Sequence, residues 1–102
     1  ITMILYNVTI NIDDSVHEEW LEWMKTKHIP DVLSTGLFLE NKIFKIKSDD
    51  AEEGNTYSIQ YYLNSAEDYE KYKNEFAPKF QTEHTEKYKD KFVAFRTIME
   101  LV

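Results

Sequence analysis

The chain reads as an α+β protein: four strands in one antiparallel sheet of order 4-1-3-2, with helices on one face. Three observations predict this. Segments of period-two hydrophobicity and segments of helical period follow one another in the order β-α-β-β-α-β. Right-handed crossovers then carry both helical segments to the same side of the sheet. Finally, 102 residues hold one domain, 1–102, with no linker-like stretch to divide it.

Met3 to Ile12 alternates strictly. Ile4, Tyr6, Val8, Ile10 and Ile12 face one way, and Met3, Leu5, Asn7, Thr9 and Asn11 the other, which marks a strand. Asp13 and Asp14 end it. Ser15-Val16-His17-Glu18 fits a capping box, the Ser15 hydroxyl accepting from the Glu18 amide. Val16, Trp20, Trp23, Met24 and Lys27 then form a helical stripe, flanked by His17, Leu21 and His28. Pro30 disfavours helical backbone at Ile29, so a kink or restart is expected there. A short helical piece from Pro30 to Thr35 follows, with Gly36 as its left-handed stop.

Leu37 to Lys47 is the second strand, its Lys42, Lys45 and Lys47 suited to an exposed edge. Ser48 to Asn55, acidic and containing Gly54, is a hairpin loop. In the third strand, Thr56 to Leu63, Tyr57, Ile59, Tyr61 and Leu63 share one face and Ser58, Gln60 and Tyr62 the other. Ser65-Ala66-Glu67-Asp68 caps the next helix, whose stripe is Tyr69, Tyr72, Phe76 and Phe80; Pro78 interrupts it, and it resumes to about Tyr88. Phe92 to Val102 is the last strand, with Val93, Phe95, Thr97, Met99 and Leu101 on one face and Phe92, Ala94, Arg96, Ile98 and Glu100 on the other. The whole is the ferredoxin-like, split βαβ arrangement.

Composition excludes several functions. Twelve basic against nineteen acidic residues leave a net charge of −7, which argues against sequence-independent binding to nucleic acid or an anionic membrane. Without cysteine there is no thiolate nucleophile, iron–sulfur site or cysteine-ligated zinc. Two glycines cannot build a phosphate-binding loop or a dinucleotide fingerprint. No apolar run approaches the ~18 residues of a membrane span. No basic stretch precedes the first strand, so the expected setting is the cytoplasm.

The sheet face without helices is expected to carry Met3, Leu5, Tyr62, Phe92 and Ile98, too apolar for a solvated face. A second copy packed sheet to sheet about a two-fold axis would cover it, giving a homodimer closed as a dimeric α+β barrel. The polar residues of the same face, Asn7, Gln60 and Arg96 with Tyr62 and Glu100 nearby, then line a candidate pocket for a small organic ligand. Arg96 would be the charge partner of an anionic or carbonyl-bearing ligand. Alternatively, an internal Arg96–Glu100 or intersubunit salt bridge only fixes the dimer register.

His28, at the Pro30 kink, either donates to carbonyls freed by the break or moves a proton, as Tyr62 also can. His17 and His28 stand eleven positions apart, about 16 Å along a helix, and cannot share a metal. His84, beside Glu83 and Glu86, reads as a surface residue. The acidic run Asp49, Asp50, Glu52 and Glu53 lacks the ligand order of a calcium loop and reads as a solvated hairpin tip. No metal and no cofactor is expected.

Several blocks in order carry a resemblance: MILYNVT from Met3, HEEWLEWM from His17, HIPDVL from His28, Gly36-Leu37-Phe38, YSIQY from Tyr57, YEKYKNEFAP from Tyr69 and FVAFRT from Phe92. Over nearly its whole length the chain resembles a family of small bacterial proteins known only as a domain of unknown function. That resemblance implies no activity and no catalytic residues. More distantly, the element order and the helix-Pro-Gly entry into the second strand look like the dimeric α+β-barrel superfamily, which holds antibiotic-biosynthesis-type and haem-degrading monooxygenases, muconolactone isomerases and ligand-binding proteins. Asn7 and His84 match the haem-degrading branch loosely, but its second-helix Trp is absent, the aromatics there being Tyr69, Tyr72, Phe76 and Phe80. The expected function is a homodimeric binding or accessory module. The alternatives are a cofactor-independent monooxygenase or isomerase for a small aromatic or carbonyl compound, and a purely structural or regulatory dimer.

Overall fold

A computed structural model describes residues 2–47 and 54–102. The acidic run Asp49 to Glu53 and most of the expected hairpin loop lie outside the described residues. Four strands, β1 (Ile4–Ile12), β2 (Glu40–Lys45), β3 (Asn55–Leu63) and β4 (Phe92–Glu100), form one antiparallel sheet in the order β2-β3-β1-β4, as expected. The helical segments are α1 (His17–Trp23), α2 (Ile29–Leu33), α3 (Ala66–Glu75) and α4 (Ala77–Lys87). Their apolar stripes meet one face of the sheet. Ile4, Tyr6, Val8, Ile10 and Ile12 of β1 and Tyr57, Ile59, Tyr61 and Leu63 of β3 are buried in one cluster with Trp20, Met24, Ile29, Val32, Tyr72 and Phe80.

Two helix boundaries differ from expectation. Asp13, not Ser15, caps the first helical segment: its carboxylate accepts from the Ser15 amide at 2.8 Å and the Ser15 hydroxyl at 2.6 Å, around a 3₁₀ turn at Asp14–Val16. Two aspartates ahead of the serine let the charged acceptor take the turn first. Pro30 neither breaks nor restarts the helix. A wide π turn over Met24–His28 joins α1 to α2, with the Ile29 amide bonded to the Met24 carbonyl. Pro30 has no N–H for the turn before it and its ring needs room there; the widened turn accommodates both, so Ile29 stays helical. Gly36 has φ +78° and ends this stretch as expected. Ser65 caps α3, accepting from the Asp68 amide at 3.2 Å, and the chain breaks at Phe76 just before Pro78.

The parity of β4 is the main correction. Val8 pairs with Arg96, Ile4 with Glu100, Tyr6 with Ile98 and Ile12 with Phe92. Arg96, Glu100, Ile98 and Phe92 therefore share the helix side with the β1 core residues. They were expected on the open face. That face carries Leu5, Asn7, Gln60 and Tyr62 as expected, but with Val93, Phe95, Thr97 and Met99 from β4. Both alternating sets of β4 hold apolar residues, so pattern alone could not choose between them, and a shift of one residue moves every side chain to the other face.

Candidate functional site

The polar set predicted for one face is split by the sheet. Asn7, Gln60 and Tyr62 remain on the open face, wired in series: Tyr62 donates to Gln60 Oε1 at 2.7 Å, Gln60 to Ser58 Oγ at 3.3 Å, Ser58 to Asn7 Oδ1, and Asn7 to Thr9 Oγ1 at 3.0 Å. Each member has a partner, and the Ser58–Asn7 bond ties β3 to β1. Tyr62 gives its proton to Gln60 and is screened by the sheet from everything on the helix side. Glu100 is exposed at the end of β4, and no ion pair joins it to Arg96 among the described residues.

Arg96 stands on the other face, beside the helices. Its Nε donates to the Tyr6 hydroxyl at 3.1 Å, and among the described residues it has no carboxylate partner. Tyr6 touches Tyr69 and Tyr72 of α3, with ring centroids 5.5 and 5.7 Å away. Together these residues border a cleft of about 310 Å³ between β1, β4 and the α3–α4 break, lined also by Lys73, Pro78 and Gln81. Phe76 and Pro78 place the cleft here: the break they impose opens the two helices over the sheet edge.

Tyr6, Tyr72, Gln81 and Arg96 also border a second, inner cavity of about 40 Å³, which runs under the helices to His28, His84 and Phe92. His84 was expected at the surface and is instead 6% exposed. The helix stripe of α4 explains it: Phe80, His84 and Tyr88 fall four apart on one line, and all three are buried. His84 Nε2 accepts the Trp20 indole N–H at 2.9 Å, and Phe92 meets the imidazole edge to face at 4.4 Å. His28 stacks against Trp23 at 5.1 Å and faces His84 at 5.9 Å. It makes no bond to a carbonyl at the π turn; its Nδ1 is buried without a partner. Burial holds both imidazoles neutral, lowering each to about 4; the Arg96 charge adds to the effect at both, His28 adds to it at His84, and Asp31 partly opposes it at His28. Burial likewise pushes Tyr6 and Tyr72 upward, Tyr72 beyond the ordinary phenol range, so both keep their protons at pH 7.

His17 lies elsewhere, its Nε2 2.6 Å from the Tyr57 hydroxyl. No group of three or more metal-ligating side chains occurs among the described residues. No helix among them is long and apolar enough to cross a membrane. The cleft thus combines two cations, Arg96 and Lys73, with aromatic walls, and the inner cavity that shares Tyr6, Tyr72, Gln81 and Arg96 with it adds two neutral imidazoles.

A family model described as Domain of unknown function (DUF4286) matches residues 3–102. No curated protein matches the sequence. Among solved structures, the chain is similar to a dimeric ferredoxin-like protein from an uncultured marine organism (TM-score 0.70, 17% identity, covering 98% of this chain and 94% of that one). It is also similar to an EthD family protein from Bacillus halodurans (TM-score 0.73, 11% identity, 97% and 99% covered). A third is SnoaB, a cofactor-independent oxygenase from Streptomyces nogalater (TM-score 0.67, 9% identity, 95% and 90% covered). At these identities the likeness is one of fold.

Proposed function

The chain belongs to the family described as Domain of unknown function (DUF4286), and we propose that it is a homodimeric protein that binds a small organic anion, aromatic or carbonyl-bearing, in the cleft between its helices and its sheet. The observation that carries this reading is Arg96: a guanidinium with no carboxylate partner among the described residues, held by Tyr6 at the mouth of an aromatic cleft. A flat anion would gain the charge at the mouth and lose apolar surface against Tyr69, Tyr72 and the inner rings. The homodimer is supported by the apolar open face and by the dimeric ferredoxin-like protein of similar fold. An acidic, cysteine-free chain fits a reducing cytoplasm and gives no basic field for nucleic acid.

Calorimetric titration with benzoate and its neutral isostere benzamide tests the binding. Benzoate is expected to bind more tightly, and Arg96→Gln to weaken benzoate by tenfold or more while leaving benzamide unchanged, because a charge-assisted bond is worth roughly 1.5–3 kcal/mol. Equal affinity for the two, or no effect of Arg96→Gln, overturns the reading.

A second reading is favoured by one observation, the partnerless Nδ1 of His28 at the inner end. There the same cleft would catalyse proton removal beside a carbonyl, as in a cofactor-independent oxygenase or isomerase, with His28 as base and Arg96 holding the enolate. Deuterium uptake into phenylpyruvate, followed by proton NMR, is expected to be accelerated by the protein and to return to the background rate in His28→Gln. No acceleration leaves the binding function alone.

A further inference from the structure

We propose that His84 is a fixed hydrogen-bond donor at the inner end of this cleft, its tautomer set by Trp20, and that this end therefore receives a carbonyl-type acceptor oxygen; the inference rests on the cleft being the ligand site. An indole N–H only donates, so the nitrogen it meets, His84 Nε2, must offer a lone pair. A neutral imidazole carries a single proton, which is then on Nδ1. That N–H has no protein partner among the described residues, and it is not among the buried partnerless atoms, in contrast to His28 Nδ1. His84 itself borders the inner cavity.

The ring has little freedom to turn. Trp23, Tyr88 and Phe92 surround it at centroid distances of 5.9, 5.5 and 4.4 Å, and Trp20 and Phe92 stand nearly perpendicular to it. Its neutrality follows from burial among these rings, at pH values well above the point of about 4 where it titrates. A donor held in this way favours a group that accepts and gains nothing from an alkyl group of the same shape. Combined with Arg96 at the mouth, the cleft selects a small conjugated acid with a carbonyl opposite its carboxylate. Trp20 makes no contact with the ligand here and acts as a positioning residue.

Two readouts test this on the intact protein. Long-range proton–nitrogen NMR of histidine-labelled protein is expected to show His84 protonated on Nδ1, and Trp20→Phe, which keeps an aromatic plug without the donor, to bring in the Nε2-protonated form. Titration is expected to favour 4-acetylbenzoate over its isostere 4-isopropylbenzoate by about tenfold, the worth of one neutral hydrogen bond. His84→Gln, which can still accept from Trp20 but loses the inner donor, is expected to abolish that preference. His84→Asn, whose amide lies nearer the Nδ1 position, is expected to retain part of it. If either variant fails to fold, the tautomer of the native protein and of Trp20→Phe still decides. An Nε2-protonated His84 in the native protein overturns the proposal whatever binds. Equal, Arg96-dependent affinity for the two benzoates overturns the carbonyl preference and leaves the anion cleft standing. Failure of both to bind removes the cleft reading and this one with it.

Discussion

His28 and His84 titrate at about 4 in the folded chain against about 6.5 in an exposed one, because burial penalises their charged forms. As pH falls through 6.5 an unfolded chain takes up these protons, whereas the folded chain does so only near 4. Stability is therefore fully present above pH 6.5, falls between about 6.5 and 4, and levels off below that as far as these groups are concerned. The urea midpoint is expected to drop between pH 7.5 and 4.5, and His84→Gln to remove about half of that drop, since each neutral-held histidine contributes its own share. The two glycines differ in a way their φ values hide. Gly36 (φ +78°) has open space where a Cβ would go, so Gly36→Ala meets only the left-handed backbone cost of about 1 kcal/mol. Gly54 (φ +80°) would place a Cβ 2.9 Å from the Ile12 carbonyl oxygen, which is backbone of β1 and cannot step aside. Gly54→Ala is expected to lower the thermal midpoint distinctly more than Gly36→Ala.

Among the elements, the helical stretch over residues 17–33 shows how a proline is absorbed. The π turn at Met24–His28 spends an extra residue within the helix, and that residue sets the rotation between Trp20 and His28. Trp20 then reaches His84 while His28 still faces the same cavity. Deleting Lys25, an exposed residue of this turn, would restore regular helical spacing and turn Trp20 by about 100° relative to α2. The expected result is a folded but less stable chain in which the Trp20 indole proton loses its protected, hydrogen-bonded NMR signature. At the helix starts, Ser65→Ala is expected to cost about 1 kcal/mol by chemical denaturation. Asp13→Ala is expected to destabilise more than Ser15→Ala, because Asp13 accepts both bonds of its turn.

For the molecule as a whole, the open sheet face is where the proposed homodimer would close. Val93 and Phe95 are 69% and 63% exposed, and Phe44 and Met99 lie on the same side. The β4 register makes this face more apolar than the sequence reading had it, because four of its side chains are Val93, Phe95, Thr97 and Met99. Exposed apolar side chains gathered on one face around a polar ladder mark an interface, and the proposed occupant is a second copy. Sedimentation equilibrium is expected to report a dimer, and Phe95→Glu a folded monomer with an unchanged circular dichroism spectrum. A monomeric native chain at micromolar concentration would overturn the assembly, while the helix-side cleft would remain.

Strand and helix placement, the strand order, the helix-covered side of β1 and β3, the Ser65 cap and the left-handed Gly36 were legible in the sequence, since each follows from local period or local backbone chemistry. The side on which Arg96 sits was not. Both alternating sets of β4 hold apolar residues, and its parity is fixed only by pairing with β1, eighty or more residues away. His84 gave a signal that was readable only in part: it shares a helical line with Phe80 and Tyr88, but its acidic neighbours in sequence pointed outward. Its burial depends on Trp20 arriving from another helix. Periodicity along the chain thus determined which elements form, while the meeting of distant elements alone decided which polar groups share a cavity.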